Sequence, residues 1–503
     1  MKNFFFIIFV FAQLDCASQI RFNRQYVHPD INYLSSASDL VQNPDSTYIA
    51  LMLAIDDHSR NDKIRIMKLD KYGERIWEKE YKATGYDAWP ARIRKINDSY
   101  FITGTYYLRD SIVPDIKSFV FKVDALGDSV WLKTYSLSSY QAILYEFLVL
   151  ADDSFLLSGY TADVKKSGNN YIQQPWKSAF VKIDSVGSVI WHREYGDSNH
   201  SYVPYSSIEL PDSDILIAGR SISHAKKDRN DIAMMTMRLS PNGDAQWLRS
   251  YGSVDVNEAF TRISKTKNNE YLVSGVYGAK NTSEYDGGIL AKIDEGGEVI
   301  WMKVYNAVIK GFAFDGGHVE LPNGDITVSG IRRFSNDVGI AQFDSSGTFK
   351  WFRPYDLDTT SSETINGITT TLDNGFAIFG HGLSSIRKND QAWLLKLDQY
   401  GCDSEACAKS VATADSPENK VMQLIVYPNP SNGDARVRWS LDEVLSHAVL
   451  SISDARGVPI HALPISTASG EFELEGLNLA NGMYVATISS RGKIECKKII
   501  VLK

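Results

Sequence analysis

Short runs of alternating apolar and polar residues fill most of this chain, each run broken by Asp, Asn or Gly. No stretch keeps the ~3.6-residue period of an amphipathic helix, so the alternation predicts strands. Residues 257–305 show the grammar. Phe260–Lys265 is a short mixed strand and Asn268–Asn269 a turn. Glu270–Val276 (EYLVSGV) is an apolar strand holding a glycine, and Gly288–Asp294 alternates. Asp294–Gly297 turns tightly, with Asp first and Gly fourth as a type I turn prefers, and Val299–Tyr305 is a fourth strand.

This unit recurs. The glycine-bearing strand returns as FITGTY from Phe101, FLLSGY from Phe155, ILIAGR from Ile215, ITVSGI from Ile326 and FAIFGH from Phe376. YIALMLAI from Tyr48 is a copy without the glycine. A K-x-D-x-x-G turn centres on Gly73, Gly127, Gly187, Gly243, Gly297, Gly347 and Gly401, with Ser240 once in place of the aspartate. Trp77, Trp131, Trp191, Trp247, Trp301 and Trp351 lie 54, 60, 56, 54 and 50 residues apart, and each opens a W-x-[KR]-x-Y phrase. A period near fifty residues means one supersecondary unit stacked many times. Seven units of four antiparallel strands predict an all-β chain built on a seven-bladed β-propeller.

Closure of the ring tests that expectation, because an unpaired last blade would leave edge strands open. The seventh unit lacks its W-x-[KR]-x-Y phrase; Cys402–Cys407 stands there instead. The missing phrase lies at the other end, as Phe22-Asn23-Arg24-Gln25-Tyr26. Residues 20–26 are therefore expected to complete blade seven. The six tryptophans are expected to be buried wedges between blades, each covering ~150–250 Å².

Composition narrows the class. Apolar residues are 44% and aromatics 12% of 503 residues, ample for packed cores, and the net charge of −8 gives no basic face for nucleic acid. Lys2, an apolar run over Phe4–Ala12 and small residues at Cys16–Ser18 read as a signal peptide, residues 1–18. Lipidation at Cys16 is disfavoured by Asp15. No second apolar run approaches the ~18 residues of a membrane span, so no transmembrane segment is expected once the signal is removed. Export permits disulfides, and Cys402 and Cys407 are close enough to clip one loop. The cysteines and histidines show no metal-site spacing, and neither metal nor cofactor is expected.

The tight turns all fall on one face of such a propeller, and the long, varied connections fall on the other. Variation gathered on one face suits a working surface. That face is expected to carry Tyr86, Trp89, Tyr171, Trp176, Tyr202, Tyr205, Tyr285, Phe312 and Phe314. Trp89, Tyr171, Trp176, Tyr202, Tyr205 and Tyr285 are the candidates for a glycan or protein ligand, the alternative being that they pack their own loops. An aspartate lies near the start of the third strand in six units, at Asp62, Asp115, Asp231, Asp286, Asp337 and Asp390, as a turn or strand-start residue or in a cation-binding or electrostatic role. No serine or cysteine sits in a nucleophile phrase and no carboxylate pair is marked, so no catalytic residue is assigned. An enzyme acting on extracellular polysaccharide or protein in the central funnel stays as the alternative to a binding module.

Residues 408–420 (AKSVATADSPENK) are polar, lose the repeat and read as a linker. The runs after Val421 predict a small Ig-like β-sandwich over 421–503. Its phrases are Tyr427-Pro428-Asn429-Pro430 with Gly433, a turn ending at Gly457, Gly482-Met483-Tyr484, and the basic-apolar end around Lys498. They closely resemble the type A C-terminal sorting domain of type IX secretion cargo in the Bacteroidetes. The units over 19–407 resemble the repeat propellers carried by such cargo. The resemblance implies the secretion machinery and its sortase as partners, passage through the periplasm, and release or surface attachment after a cut between about 408 and 421. It implies no substrate.

Overall fold

The computed structural model describes residues 20–30, 33–56, 62–82, 86–108, 116–137, 141–167, 170–173, 175–226, 229–252, 256–279, 287–305, 309–333, 337–355, 363–383, 390–404, 407, 422–429, 431–441, 448–454, 459–467, 469–490 and 493–503. The chain divides into two compact units, residues 1–413 and 414–503.

The first unit opens with β1 (Phe22–Tyr26). An antiparallel sheet follows, in the order β2 (Tyr33–Gln42), β3 (Tyr48–Asp56), β4 (Lys63–Leu69), β5 (Arg75–Tyr81). The next is β6 (Tyr86–Ile96), β7 (Ser99–Leu108), β8 (Ile116–Asp124), β9 (Ser129–Tyr135). Then come β10 (Gln141–Val149) and β11 (Phe155–Ala162), a two-stranded hairpin of β12 (Val164–Ser167) and β13 (Asn170–Gln173), and β14 (Lys177–Ile183) with β15 (Val189–Tyr195), which complete the sheet of β10 and β11. A single parallel pair, Gln141 with Ile116, ties this sheet to its predecessor. Three more regions repeat the order: β16 (His200–Glu209) to β17 (Ile215–Lys226), β18 (Arg229–Leu239) and β19 (Ala245–Tyr251); β20 (Val256–Lys265) to β21 (Tyr271–Ala279), β22 (Gly287–Ile293) and β23 (Val299–Val304); β24 (Phe312–Glu320) to β25 (Ile326–Arg332), β26 (Asp337–Phe343) and β27 (Phe349–Tyr355). The last sheet runs β28 (Glu363–Thr370), β29 (Phe376–Leu383), β30 (Asp390–Leu397), and its fourth place is taken by β1, antiparallel to β30 with Phe22 opposite Lys396 and Tyr26 opposite Ala392.

Neighbouring sheets pack face to face, which is why middle strands such as β22 are buried at every position rather than alternately. The first strands neighbour one another in the order β2, β6, β10, β16, β20, β24, β28, and β28 neighbours β2. The arrangement is propeller-like, with these strands innermost. Each inner strand carries a register shift opposite the middle of its partner, as between Leu144 and Glu146. The bulge turns an inner carbonyl toward the second strand: a Cβ built on Gly159 would lie 1.9 Å from the Ile143 oxygen. Close approach of backbone is therefore what keeps glycine in the second strand.

The W-x-[KR]-x-Y phrase is the joint between sheets. Gly401, with φ +72 in its turn, brings its Cα beneath Trp351, whose ring edge would be 2.9 Å from an added Cβ. The Trp351 ring is capped by Arg353 at 5.2 Å, and Arg353 Nε donates to the Tyr400 carbonyl at 2.9 Å. Tyr355 O–H donates to the Gly401 carbonyl at 2.6 Å. Equivalent tyrosine bonds run from Tyr135 to Gly187 at 2.9 Å, Tyr195 to Gly243 at 2.5 Å, Tyr251 to Gly297 at 2.6 Å, Tyr305 to Gly347 at 2.5 Å, and from Tyr81 to Gly127. The seam between last and first sheets is the same joint: Phe22 covers Gly73, Tyr26 O–H donates to its carbonyl at 2.9 Å, and Arg24 pairs with Glu74 at 2.6 Å. The six tryptophans lie along these seams, but half-buried rather than enclosed. Each lies on an outer strand, so one face packs on the next turn while the other meets solvent.

The tail unit has two sheets over one core. One is β31 (Met422–Tyr427), β32 (Arg436–Leu441) and β35 (Ser469–Glu473); the other pairs β34 (Pro459–Ile465), β33 (Ala448–Asp454), β36 (Gly482–Ser490) and β37 (Lys493–Val501) in that order. Leu424, Val437, Trp439, Leu450, Ile452, Ile488 and Ile499 fill the space between.

Candidate functional site

The structure spreads the candidate aromatics over three sites. Trp89, on β6, is 43% exposed; its indole N–H donates to an Asp62 carboxylate oxygen at 2.7 Å, and its ring lies 4.8 Å from Tyr107. Trp176 stacks on Tyr160 at 4.9 Å and 24°. The Arg220 guanidinium lies 5.9 Å from the Trp176 ring and 5.7 Å from Tyr205, so these two candidates share one cation. Tyr145 joins the group, 6.2 Å from Tyr160 and 6.1 Å from Tyr205. Burial, and then the neighbouring Tyr107, raise the Tyr160 phenol above its ordinary value. Trp89 with Tyr107 is thus one pair on the second sheet, and Tyr160, Trp176, Tyr145 and Tyr205 form a separate group of rings on the third and fourth sheets. Tyr202 stands apart, parallel to His200 at 6.4 Å. Tyr171 lies on β13 opposite Lys166, and Tyr285 is outside the described residues.

One expectation is corrected. Phe312 and Phe314 are fully buried on β24, not on a loop, because the strand starts earlier than its turn residues suggest and packs both rings against Phe352 and Phe343. The described aspartates do lie near third-strand starts, each in its own surroundings. Asp62 is buried and holds the Trp89 indole, Asp337 and Asp390 open β26 and β30, Asp231 lies within β18, and Asp115 and Asp286 are outside the described residues.

Sequence reading missed the interior between the inner strands. Two adjoining cavities of about 480 and 820 Å³ share Arg94, Arg262 and Thr370. Their walls run from the bulges to the last residues of the inner strands, so they lie toward the tight turns and not the long connections. Arg94 donates to Asp39 at 2.8 Å and Arg92 to Glu146 at 3.1 Å. His318 is buried between the hydroxyls of Ser264 at 2.7 Å and Ser274 at 2.8 Å, and burial followed by the charge of Arg262 pushes its pKa down to about 3. It is a neutral ring at ordinary pH.

Cys402 and Cys407 are joined by a disulfide just after β30. In the tail, the Tyr427–Gly433 turn grips the last strand. Pro428 leads into it, Asn429 Oδ1 accepts the Ile500 N–H at 2.8 Å, Ser431 exchanges bonds with Ile500 and Leu502, and Gly433 packs on the Lys503 stem. Gly482 pairs with Val501, Lys498 lies opposite Val485, and Tyr484 O–H donates to Ala480. Pro430 and Gly457 are outside the described residues.

Residues 425–502 match the family described as the secretion system C-terminal sorting domain. The tail is a type IX sorting domain. It marks the chain as secretion cargo, bound for the cell surface or the extracellular space. Among curated proteins, none matches the chain in sequence. Solved structures with related folds include a protein of unknown function from Dyadobacter fermentans, 11% identical, covering 63% of this chain and 96% of its own, with a TM-score of 0.43. PorZ, a surface component of the type IX secretion system of Porphyromonas gingivalis, is 10% identical over 93% of this chain and 81% of its own, with a TM-score of 0.24. A family PL25 ulvan lyase is 9% identical over 74% of this chain and 96% of its own, with a TM-score of 0.46. None of these likenesses carries an activity over to the cargo. Among the described residues no helix is long and apolar enough to cross a membrane.

Proposed function

We propose that residues 19–407 form a seven-bladed β-propeller that works outside the cell as a non-catalytic binding module for glycan or protein. Residues 1–18 act as its signal peptide, 408–420 as a severable linker, and 421–503 as an Ig-like sorting domain handled by the secretion machinery and its sortase. The observation supporting a glycan ligand is the group of rings Tyr160, Trp176, Tyr145 and Tyr205 around Arg220. Flat rings beside a guanidinium offer stacking faces together with hydrogen-bonding groups, the combination a sugar ring uses.

A glycan array probed with the full chain tests the reading. Trp176→Ala and Tyr205→Ala are expected to weaken any captured glycan by at least about tenfold each. Retention of full affinity by both variants would remove this group of rings from the account. New reducing ends released from a bound polysaccharide would instead favour the enzyme alternative.

A further inference from the structure

The interior of the propeller reverses the charge of the molecule. The chain carries a net −8, yet the walls of the two cavities hold Arg92, Arg94, Arg262, Lys265 and Lys267 against Asp39, Glu146 and Glu320. The acids are already engaged. Asp39 accepts the Ile93 N–H at 3.0 Å besides Arg94, Glu146 accepts from Arg92, and Glu320 accepts the Lys267 N–H at 3.2 Å.

Arg262 is left over. It follows the bulge of β20, and its stem lies against Gly317, where an added Cβ would be 2.6 Å from its Cδ. A glycine with φ +83 there leaves the room that the side chain occupies. Among the described residues its guanidinium has no hydrogen-bond or ion-pair partner, although it is open to the cavity. Arg92 and Arg94 line the first cavity with it. Desolvation lowers its proton affinity most; Glu146 opposes, Arg92 and Arg94 then add to the lowering, and Asp39 opposes. His318 beside it is neutral and supplies no countercharge. A cluster of guanidinium groups with unused donors in one cavity is what carboxylate and sulfate groups are recognised by.

We propose that this cavity binds an oxyanion, a carboxylate or sulfate group, held by Arg262 together with Arg92 and Arg94. The site is independent of the loop-face aromatics and lies toward the opposite, tight-turn mouth. Its ligand is either a free inorganic anion or the acidic group of a saccharide, and the two are separable by experiment.

Calorimetric titration of the full chain with sodium sulfate, with an oligogalacturonate and with a neutral oligosaccharide at matched ionic strength decides it. Saturable binding is expected for sulfate, the oligogalacturonate or both, below about 10 mM, and none for the neutral sugar. Sulfate alone would identify a free anion, and tighter binding of the oligogalacturonate a saccharide-borne carboxylate. Arg262→Gln should weaken binding at least about tenfold while its melting temperature without anion stays level or rises, since a charge without a hydrogen-bonded partner is gone. Arg262→Lys keeps the charge without the fork and should fall between. Absence of saturable binding by either anion, or binding unaltered in both variants, overturns the site.

Discussion

Replacing Tyr26 by Phe removes one oxygen from the seam that joins the last sheet to the first. That oxygen donates to the Gly73 carbonyl at 2.9 Å, and Tyr26 is 5% exposed, so water cannot take over the bond. The ring and its packing stay. A buried acceptor left without its donor costs about 1–3 kcal/mol. Unfolding entropy of ~2.1 cal/mol/K per residue over roughly 390 residues is ~0.8 kcal/mol/K, so the melting temperature should fall by about 1–4 °C. Tyr72→Phe is the control: it lies in the same turn and is 52% exposed, and it should melt with the parent. Tyr195 and Tyr355 make the same bond at distant seams, so the triple Phe variant should lose about three times as much. Calorimetry on the three variants reads the effect directly. A triple variant melting with the parent would show that the tyrosine joint does not hold the sheets together.

The same tyrosines set an alkaline limit. Burial raises the phenols of Tyr26, Tyr81, Tyr135, Tyr195, Tyr251, Tyr305 and Tyr355 above the ordinary value. Their neutral forms therefore contribute stability that is complete below about pH 10 and is lost as pH rises toward the folded values. Melting temperature should drop steeply above pH 10, and the triple Phe variant should show a shallower drop; parallel profiles would contradict the cause. Truncation of residues 421–503 should leave a folded passenger in the periplasm, scored by cell fractionation and protease accessibility. Normal surface display of the truncated chain would remove the tail from the route.

The seam was legible because its chemistry needs the same residue types each time. A left-handed glycine, an aromatic to cover it, a base to cap the aromatic and a tyrosine to reach the glycine carbonyl must keep fixed spacing, and spacing survives in sequence. The Phe22–Tyr26 phrase could be placed for the same reason. The charged interior was not legible. Asp39, Arg92, Glu146 and Arg262 follow the bulge of their inner strands, where the requirement is on backbone shape alone and no one residue type repeats around the ring. Aligning the repeats on the second-strand glycine, which faces the bulge, puts Glu146 and Arg262 in one column, but not Arg92, whose turn is one residue shorter, nor Asp39, whose unit lacks the glycine. Tyr145 and Tyr160 escape the sequence for a related reason: within strands they look like core, and only the pairing of β11 with β14 brings Tyr160 beside Trp176, and the stacking of one sheet on the next brings Tyr145 beside Tyr205. Phe312 and Phe314 erred the other way, since a segment after a long connection looks like loop until its partner strand is known.

The central claim is that the sheets close into one ring, with β1 as the outer strand of the last sheet. Amide hydrogen exchange of the intact chain tests it most directly, through the peptides covering Phe22–Tyr26 and Asp390–Leu397. The account predicts that both segments exchange slowly and lose protection together as denaturant is added. Fast exchange in Phe22–Tyr26 while Asp390–Leu397 stays protected would contradict it.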